Sequence, residues 1–147
     1  MAEVHFYGSA EHSIDDKNRV TVPVQFRTGL GDVFYLCKGL NEKCLWLLPE
    51  EEFKNLLDTM KEKIPRGDRR GQKFIALFTE SAVDRRMDRQ NRIALTQGLL
   101  EYAQITDKVK IYGHDERIEI WALDHWNQEM AEDFSDLSME MFEKYNI

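Results

Sequence analysis

Residues 14–23 read IDDKNRVTVP, and residues 87–96 read MDRQNRIALT. A constant offset of 73 aligns Asp15 with Asp88, Asn18 with Asn91, Arg19 with Arg92, Val20 with Ile93 and Val22 with Leu95. The same offset returns downstream, where Leu45 falls on Ile118, Leu47 on Ile120, Leu48 on Trp121 and Phe53 on Trp126. Between these blocks the register slips by about one residue, as a loop allows. Self-similarity at a fixed period marks a repeat. The chain therefore divides into a first copy at 8–64, a helical linker at 65–80, and a second copy at 81–147 that ends in an amphipathic helix.

Each copy can be read locally. Asp suits the first position of a type I turn, and Asn tolerates the left-handed backbone that follows such a turn in a bulged hairpin. Asp15, Asn18, Asp88 and Asn91 are thus assigned to structuring the turns. The next residues, Val-Thr-Val and Ile-Ala-Leu, alternate with period 2. Residues 11–22 and 84–95 therefore read as hairpins, with Lys17, Arg19, Arg89 and Arg92 at or beside the tips. Pro23 opens a short helical turn through Leu30, since Pro is favoured at a first helical position. A second strand pair follows in each copy, 33–38 with 44–48 and 108–112 with 117–121.

A helix closes each copy. Phe53, Leu56, Leu57, Met60 and Ile64 recur at helical spacing after Pro49. In the second copy, Leu123, Trp126, Met130, Phe134, Leu137 and Met141 form one apolar stripe on a helix whose other side is acidic. The stripe is expected to pack on its own domain or on a neighbouring subunit. One copy of roughly 55 residues is marginal for an independent core. Two copies about a pseudo-twofold axis complete a shared one.

The 147 residues carry 42% hydrophobic and 32% charged side chains, an ordinary globular mixture. Net charge is −7, which excludes a uniformly basic nucleic-acid binder but not a local basic patch. The charge is unevenly placed. Residues 123–147 hold seven acidic residues against Lys144 alone, whereas residues 61–92 hold ten of the twenty basic ones. Within that stretch Arg66, Arg69, Arg70 and Lys73 read as a solvated helical face or subunit contact, with phosphate contact as the alternative. No run approaches the roughly 18 apolar residues of a membrane span. Met1-Ala2-Glu3-Val4-His5 shows no leader pattern, so a cytoplasmic protein is expected. Cys37 and Cys44 form no disulfide framework or zinc set and read as reduced, half-buried strand residues.

The repeated Asp-x-x-x-Arg with its following apolar strand resembles the MraZ family of bacterial transcriptional regulators, related to the AbrB and MazE swapped-hairpin DNA-binding domains. Supporting segments are His12-Ser13-Ile14-Asp15, Lys17-Asn18-Arg19, Val22-Pro23-Val24-Gln25-Phe26-Arg27, Leu99-Leu100-Glu101-Tyr102-Ala103 and Arg117-Ile118-Glu119-Ile120-Trp121. The resemblance runs from about Gly8 to Trp126. It implies an α+β fold, with two hairpin/helix repeats forming a pseudo-twofold double-split β-barrel with peripheral helices. It implies a homo-oligomeric ring, octameric or dodecameric. It also implies binding of double-stranded DNA at direct repeats upstream of the protein's own division and cell-wall gene cluster, usually as a repressor in the nucleoid. Carried over, the DNA-contacting arginines are Arg19 and Arg92, with Lys17 and Arg89 beside them. Thr96, Gly98 and Leu100 depart from the family pattern, which leads us to expect a less well started second short helix. Asn18 and Asn91 stand where Gly is common.

Arginine suits the DNA role because it is always charged and can bond guanine bidentately. An enzyme is not expected. His5, His12, His114 and His125 show no metal-ligand spacing, no nucleophile motif surrounds the cysteines, and Gly29-Leu30-Gly31 is only a turn. No cofactor, metal, membrane or small-molecule ligand is indicated. The alternative function is an antitoxin-like protein-interaction module acting through the acidic amphipathic tail.

Overall fold

A computed structural model describes residues 4–147. Met1 to Glu3, part of the segment read for a leader, lie outside the described residues. Within them the order is β1 (Ser9–Ser13), β2 (Arg19–Thr21), α1 (Val24–Leu30), β3 (Phe34–Lys38), β4 (Leu45–Pro49), α2 (Glu50–Lys63), α3 (Arg69–Ser81), β5 (Val83–Arg85), β6 (Arg92–Ala94), α4 (Gln97–Ala103), β7 (Lys108–His114), β8 (Arg117–Ala122), α5 (Leu123–Glu129) and α6 (Phe134–Tyr145). The architecture is α+β. A six-stranded antiparallel sheet runs β1-β7-β8-β4-β3-β5, and a separate two-stranded ribbon pairs β2 with β6.

The strand order corrects the expected hairpins at 11–22 and 84–95. The Asp–Asn turns form, but the strands before and after each turn do not pair. β1 instead joins β7 of the second copy, and β5 joins β3 of the first. The turn throws the chain from the large sheet into the ribbon, where β2 meets β6. Period-2 alternation tells which face of a strand is apolar but not which neighbour it pairs with.

Exchanging the two copies leaves this pairing unchanged. In the ribbon, Val20 faces Ile93, flanked by Arg19↔Ala94 and Thr21↔Arg92. Between β4 and β8, Trp46 faces Glu119, flanked by Leu45↔Ile120 and Leu47↔Ile118. Both centres join residues 73 apart. At the edge pairs, Phe34↔Arg85 corresponds to His12↔Val109, so β3 and β7 are offset by 75. The slip between the copies is thus two residues, taken up by the longer turn between β3 and β4.

The sheet is covered on both faces. One core takes Val20, Val22, Phe26, Leu36 and Leu47 from the first copy with Ile93, Leu95, Leu99, Ile111 and Ile118 from the second. The other gathers Cys37, Cys44, Trp46, Leu48, Phe53, Met60, Phe78 and Trp121 under α2, α3 and α5. β4 therefore reads Leu45-Trp46-Leu47-Leu48 without alternation, as a strand buried on both faces must. Both cysteines are fully buried rather than half-buried, and burial pushes the Cys37 thiol up to about 12.

Two helix readings also change. α4 is the better capped of the short pair: the Thr96 hydroxyl accepts from Leu99 N at 3.3 Å, whereas Pro23 at the head of α1 offers no side-chain acceptor. Thr at the position before the helix supplies what Gly98 takes away. The C-terminal stripe is not one helix. α5 stops at Glu129, and α6 restarts where the Asp133 carboxylate accepts from Asp136 N at 3.0 Å. Trp126 packs against the rings of Trp121 and Tyr112, while Phe134 is 81% exposed.

Gly113 marks a close approach. Phe6 N donates to Asp115 O at 2.7 Å, and Gly113 N donates to Gly8 O at 2.8 Å. A Cβ on Gly113 would run into the backbone of Phe6 and Tyr7.

Among the described residues, no helix is long and apolar enough to cross a membrane.

Candidate nucleic-acid interface

The two Asp-x-x-Asn-Arg turns have the same construction. In the first, Asn18 N donates to Asp15 O at 3.1 Å, and Asn18 has φ 57°. Asp15 Oδ1 accepts from Lys17 N at 2.9 Å and from Arg19 N at 2.8 Å. Asp15 Oδ2 accepts from Arg19 Nε at 2.8 Å. In the second, Asn91 N donates to Asp88 O at 3.0 Å, and Asn91 has φ 60°. Asp88 Oδ1 accepts from Gln90 N and Arg92 N at 2.9 Å each, and Oδ2 from Arg92 Nε at 3.0 Å. Asn is the non-glycine residue that tolerates this left-handed position best, because its short side chain bonds locally.

These bonds favour the ionised carboxylate. The Arg19 backbone N–H, above all, holds the Asp15 carboxyl below the usual range, and the Arg92 N–H does the same for Asp88. The turns also lock the two copies together. Leu95 N donates to Asn18 O and Val22 N donates to Asn91 O, each at 2.8 Å.

The ribbon between the turns spans about 10 Å, from three residue pairs at about 3.4 Å each. Val20 and Ile93 point inward and are buried. By alternation, Arg19, Thr21, Arg92 and Ala94 share the outward face. The side chains of Arg19 and Arg92 are 28% and 26% exposed. Each guanidinium is held through Nε, and Arg92 Nη1 also lies 3.6 Å from Asp15 Oδ2. The bonds through Nε fix the orientation of both forks.

The structure therefore brings Arg19 and Arg92 onto one ribbon. Lys17 and Arg89 are exposed on the two turns, at opposite ends of that ribbon. They are not equivalent positions: Lys17 aligns with Gln90, and Arg89 with Asp16. An intra-turn Asp–Arg pair is the ordinary structural role that Asp-x-x-Asn-Arg allows from sequence, and both turns form it. The four-residue spacing of Asp to Arg was the available signal.

A second polar cluster escaped the sequence reading. Glu119 is fully buried. Its Oε2 accepts from Arg117 Nε at 2.8 Å and pairs with Nη2 at 2.7 Å, and its Oε1 accepts from Trp121 Nε1 at 2.9 Å. The Arg117 guanidinium stacks 4.0 Å from the centre of the Trp46 ring. Glu42 and Cys44 approach Glu119, and these three are the one group of potential metal ligands found among the described residues. The cluster is poorly suited to a cation. Arg117 and Trp121 already occupy the Glu119 carboxylate, and burial drives the Cys44 thiol far up, away from the thiolate a metal needs.

Comparison with known proteins follows this geometry. The model of the MraZ protein family, described as antitoxin-like, matches residues 5–74 and 78–144. The chain belongs to the MraZ family. It is similar to the transcriptional regulator MraZ of Alkaliphilus metalliredigens, at 39% identity over 92% of both chains. It also resembles the MraZ regulators of Pelotomaculum thermopropionicum, 38% identical over 91% of this chain and 98% of the relative, and Clostridium acetobutylicum, 36% identical over 94% and 97%. The two segments matched by the MraZ model break within α3, between the copies whose strands interleave in the sheet.

Proposed function

We propose that this protein is a sequence-specific DNA-binding transcriptional regulator, not an enzyme, and that the β2–β6 ribbon reads the DNA. The carrying observation is the duplicated Asp–Arg clamp, Asp15 with Arg19 and Asp88 with Arg92, on the outward face of one two-stranded ribbon. A two-stranded ribbon fits the major groove, where an oriented guanidinium can fork onto guanine. Lys17 and Arg89 flank it and neutralise phosphates. The relatives named MraZ are called transcriptional regulators, which supports this reading. We take the fold as a pseudo-twofold double-split barrel built from copies at 8–64 and 81–147 with a linker at 65–80. The protein then acts in the cytoplasm at the nucleoid, on direct repeats upstream of its own division and cell-wall genes, as a repressor in an octameric or dodecameric ring. A ring repeats the few cations of one ribbon, and linked modules on repeated sites gain effective concentration.

The test is fluorescence anisotropy on DNA from upstream of the gene, with scrambled DNA as control, across a salt series. Specific binding is expected, weakening by roughly 0.9 log units per phosphate contact per log unit of salt. Arg19→Ala and Arg92→Ala each weaken it, and the double variant abolishes it while remaining folded by circular dichroism. Unchanged binding by the folded double variant overturns the ribbon as the reading surface.

A second reading rests on α6, whose Phe134, Met139, Phe142 and Tyr145 are exposed. As an antitoxin-like module, the protein would hold a partner protein through this acidic tail, and the ribbon arginines would be dispensable.

A further inference from the structure

The clamps leave the ribbon with little free charge. Arg19 is paired with Asp15, and Arg92 with Asp88 and Asp15. Attraction to a duplex comes from cations that neutralise phosphates and release their counterions. A cation already answered by the protein's own carboxylate has less to give.

Arg85 is a cation of the other kind. It lies on β5, an edge strand of the large sheet. Successive strand residues point to opposite faces. Val83 packs against the core that the ribbon covers, so Arg85, two residues on, projects to the ribbon side. Antiparallel pairs alternate between bonded and non-bonded. Leu95 N bonds across the ribbon to Asn18 O and Val22 N to Asn91 O, so Arg19↔Ala94 is a non-bonded pair whose carbonyls face the outer edges. On the β6 edge, Arg85 Nε donates to Ala94 O at 2.8 Å, and its Nη1 donates to Asp84 O at 2.9 Å. The guanidinium is thereby fixed beside the residue that faces Arg19. Both partners are neutral carbonyls, and among the described residues Arg85 joins no ion pair.

The matching position of the first copy is His12, which lacks the permanent charge and the fork of a guanidinium. Residues 84–92 carry four arginines and two aspartates, a net of +2. The aligned residues 11–19 carry Lys17 and Arg19 against Glu11, Asp15 and Asp16, a net of −1 with His12 neutral. Lys110, 3.7 Å from Glu11, brings that only to zero. The surplus positive charge therefore lies along β5 and the second turn.

We propose that Arg85 is a further DNA-contacting residue, a phosphate ligand held at the β6 edge of the ribbon. The inference rests on the ribbon reading above and adds to it a contact outside both Asp-x-x-Asn-Arg turns. The bonds to Ala94 O and Asp84 O hold the side chain in place before DNA arrives, which lowers the entropy lost on binding.

Anisotropy titrations of the full chain over a salt series test this on two duplexes, the DNA from upstream of the gene and a scrambled one. Arg85→Ala is expected to weaken binding to both by about tenfold and to lower the salt slope by about 0.9, the share of one phosphate. A residue that only braced β6 through Ala94 O would leave the slope unchanged. Arg85→Gln, which keeps a side-chain donor but no charge, should show the same lowered slope. Arg85→Lys, which keeps the charge without the fork, should restore it. Circular dichroism identifies the variants that fold. An unchanged slope in a folded Ala or Gln variant, or a loss confined to the upstream duplex, overturns the phosphate contact. The Arg19→Ala, Arg92→Ala double variant separates the two readings in the same assay. If it loses specific binding while the Arg85 variants keep the wild-type slope, the ribbon reading stands and this contact falls. If it binds like wild type, both fall.

Discussion

Arg92 lies between two carboxylates from different copies. Its Nε binds Asp88 Oδ2 at 3.0 Å, and its Nη1 lies 3.6 Å from Asp15 Oδ2. Asp15 in turn holds Arg19 at 2.8 Å. Asp15 thus touches both ribbon arginines, whereas Asp88 touches one.

Unequal losses follow from this arrangement. Under the proposed DNA-binding function, Asp15→Ala should weaken specific binding about tenfold and Asp88→Ala about threefold, with about 1.4 kcal/mol to each decade of affinity. Anisotropy titrations on the two folded variants at one salt concentration check the ranking. Equal losses would mean that the 3.6 Å approach contributes nothing.

The same carboxylates set an acid limit. Both are held below the ordinary range in the fold, so the unfolded chain takes up their protons first as pH falls. Their contribution is present above about pH 4, the unfolded value, and disappears as pH drops through the lower folded values. Urea midpoints measured between about pH 6 and pH 2 should fall for wild type. The Asp15→Asn, Asp88→Asn double variant should start lower at neutral pH and lose less.

Glu119 and Arg117 should respond asymmetrically. Arg117→Met strands a fully buried carboxylate and should cost about 3 kcal/mol or more. Glu119→Gln keeps an acceptor for Trp121 and leaves an arginine that is 16% exposed and still paired with Glu116 at 3.0 Å. Its cost should be about half as large. Chemical denaturation of both variants gives the comparison.

Gly113→Ala places a methyl group into the backbone of Phe6 and Tyr7. Overpacking of this kind costs about 1–3 kcal/mol. The thermal midpoint should drop, with the earliest loss of amide protection at Phe6 and Asp115, which exchange two backbone bonds.

Legibility in the sequence followed the range of each interaction. The offset of 73 proved to be the register of the structure itself, because the residues it aligns face each other across β2–β6 and β4–β8. The Asp and Asn turn residues were readable because their chemistry is local. The destinations of β1 and β5 were not, since an alternating strand carries no mark of its neighbour. Glu119 looked like one polar position in an alternating strand, and only the helices covering the second face reveal it as buried. The break at Met130 to Asp133 was hidden by an apolar spacing that two successive helices preserve.

The ribbon has the pairing of a symmetric dimer, yet it is made by one chain. Two identical halves around such an axis suit a palindrome. Here the halves are related but unequal, with Asp16-Lys17 on one turn and Arg89-Gln90 on the other. Because α2 and α3 join the halves in one chain, the two turns carry different residues at one ribbon. Under the proposed DNA-binding function, a site read by this ribbon has a sense along the duplex, and successive sites can all point the same way.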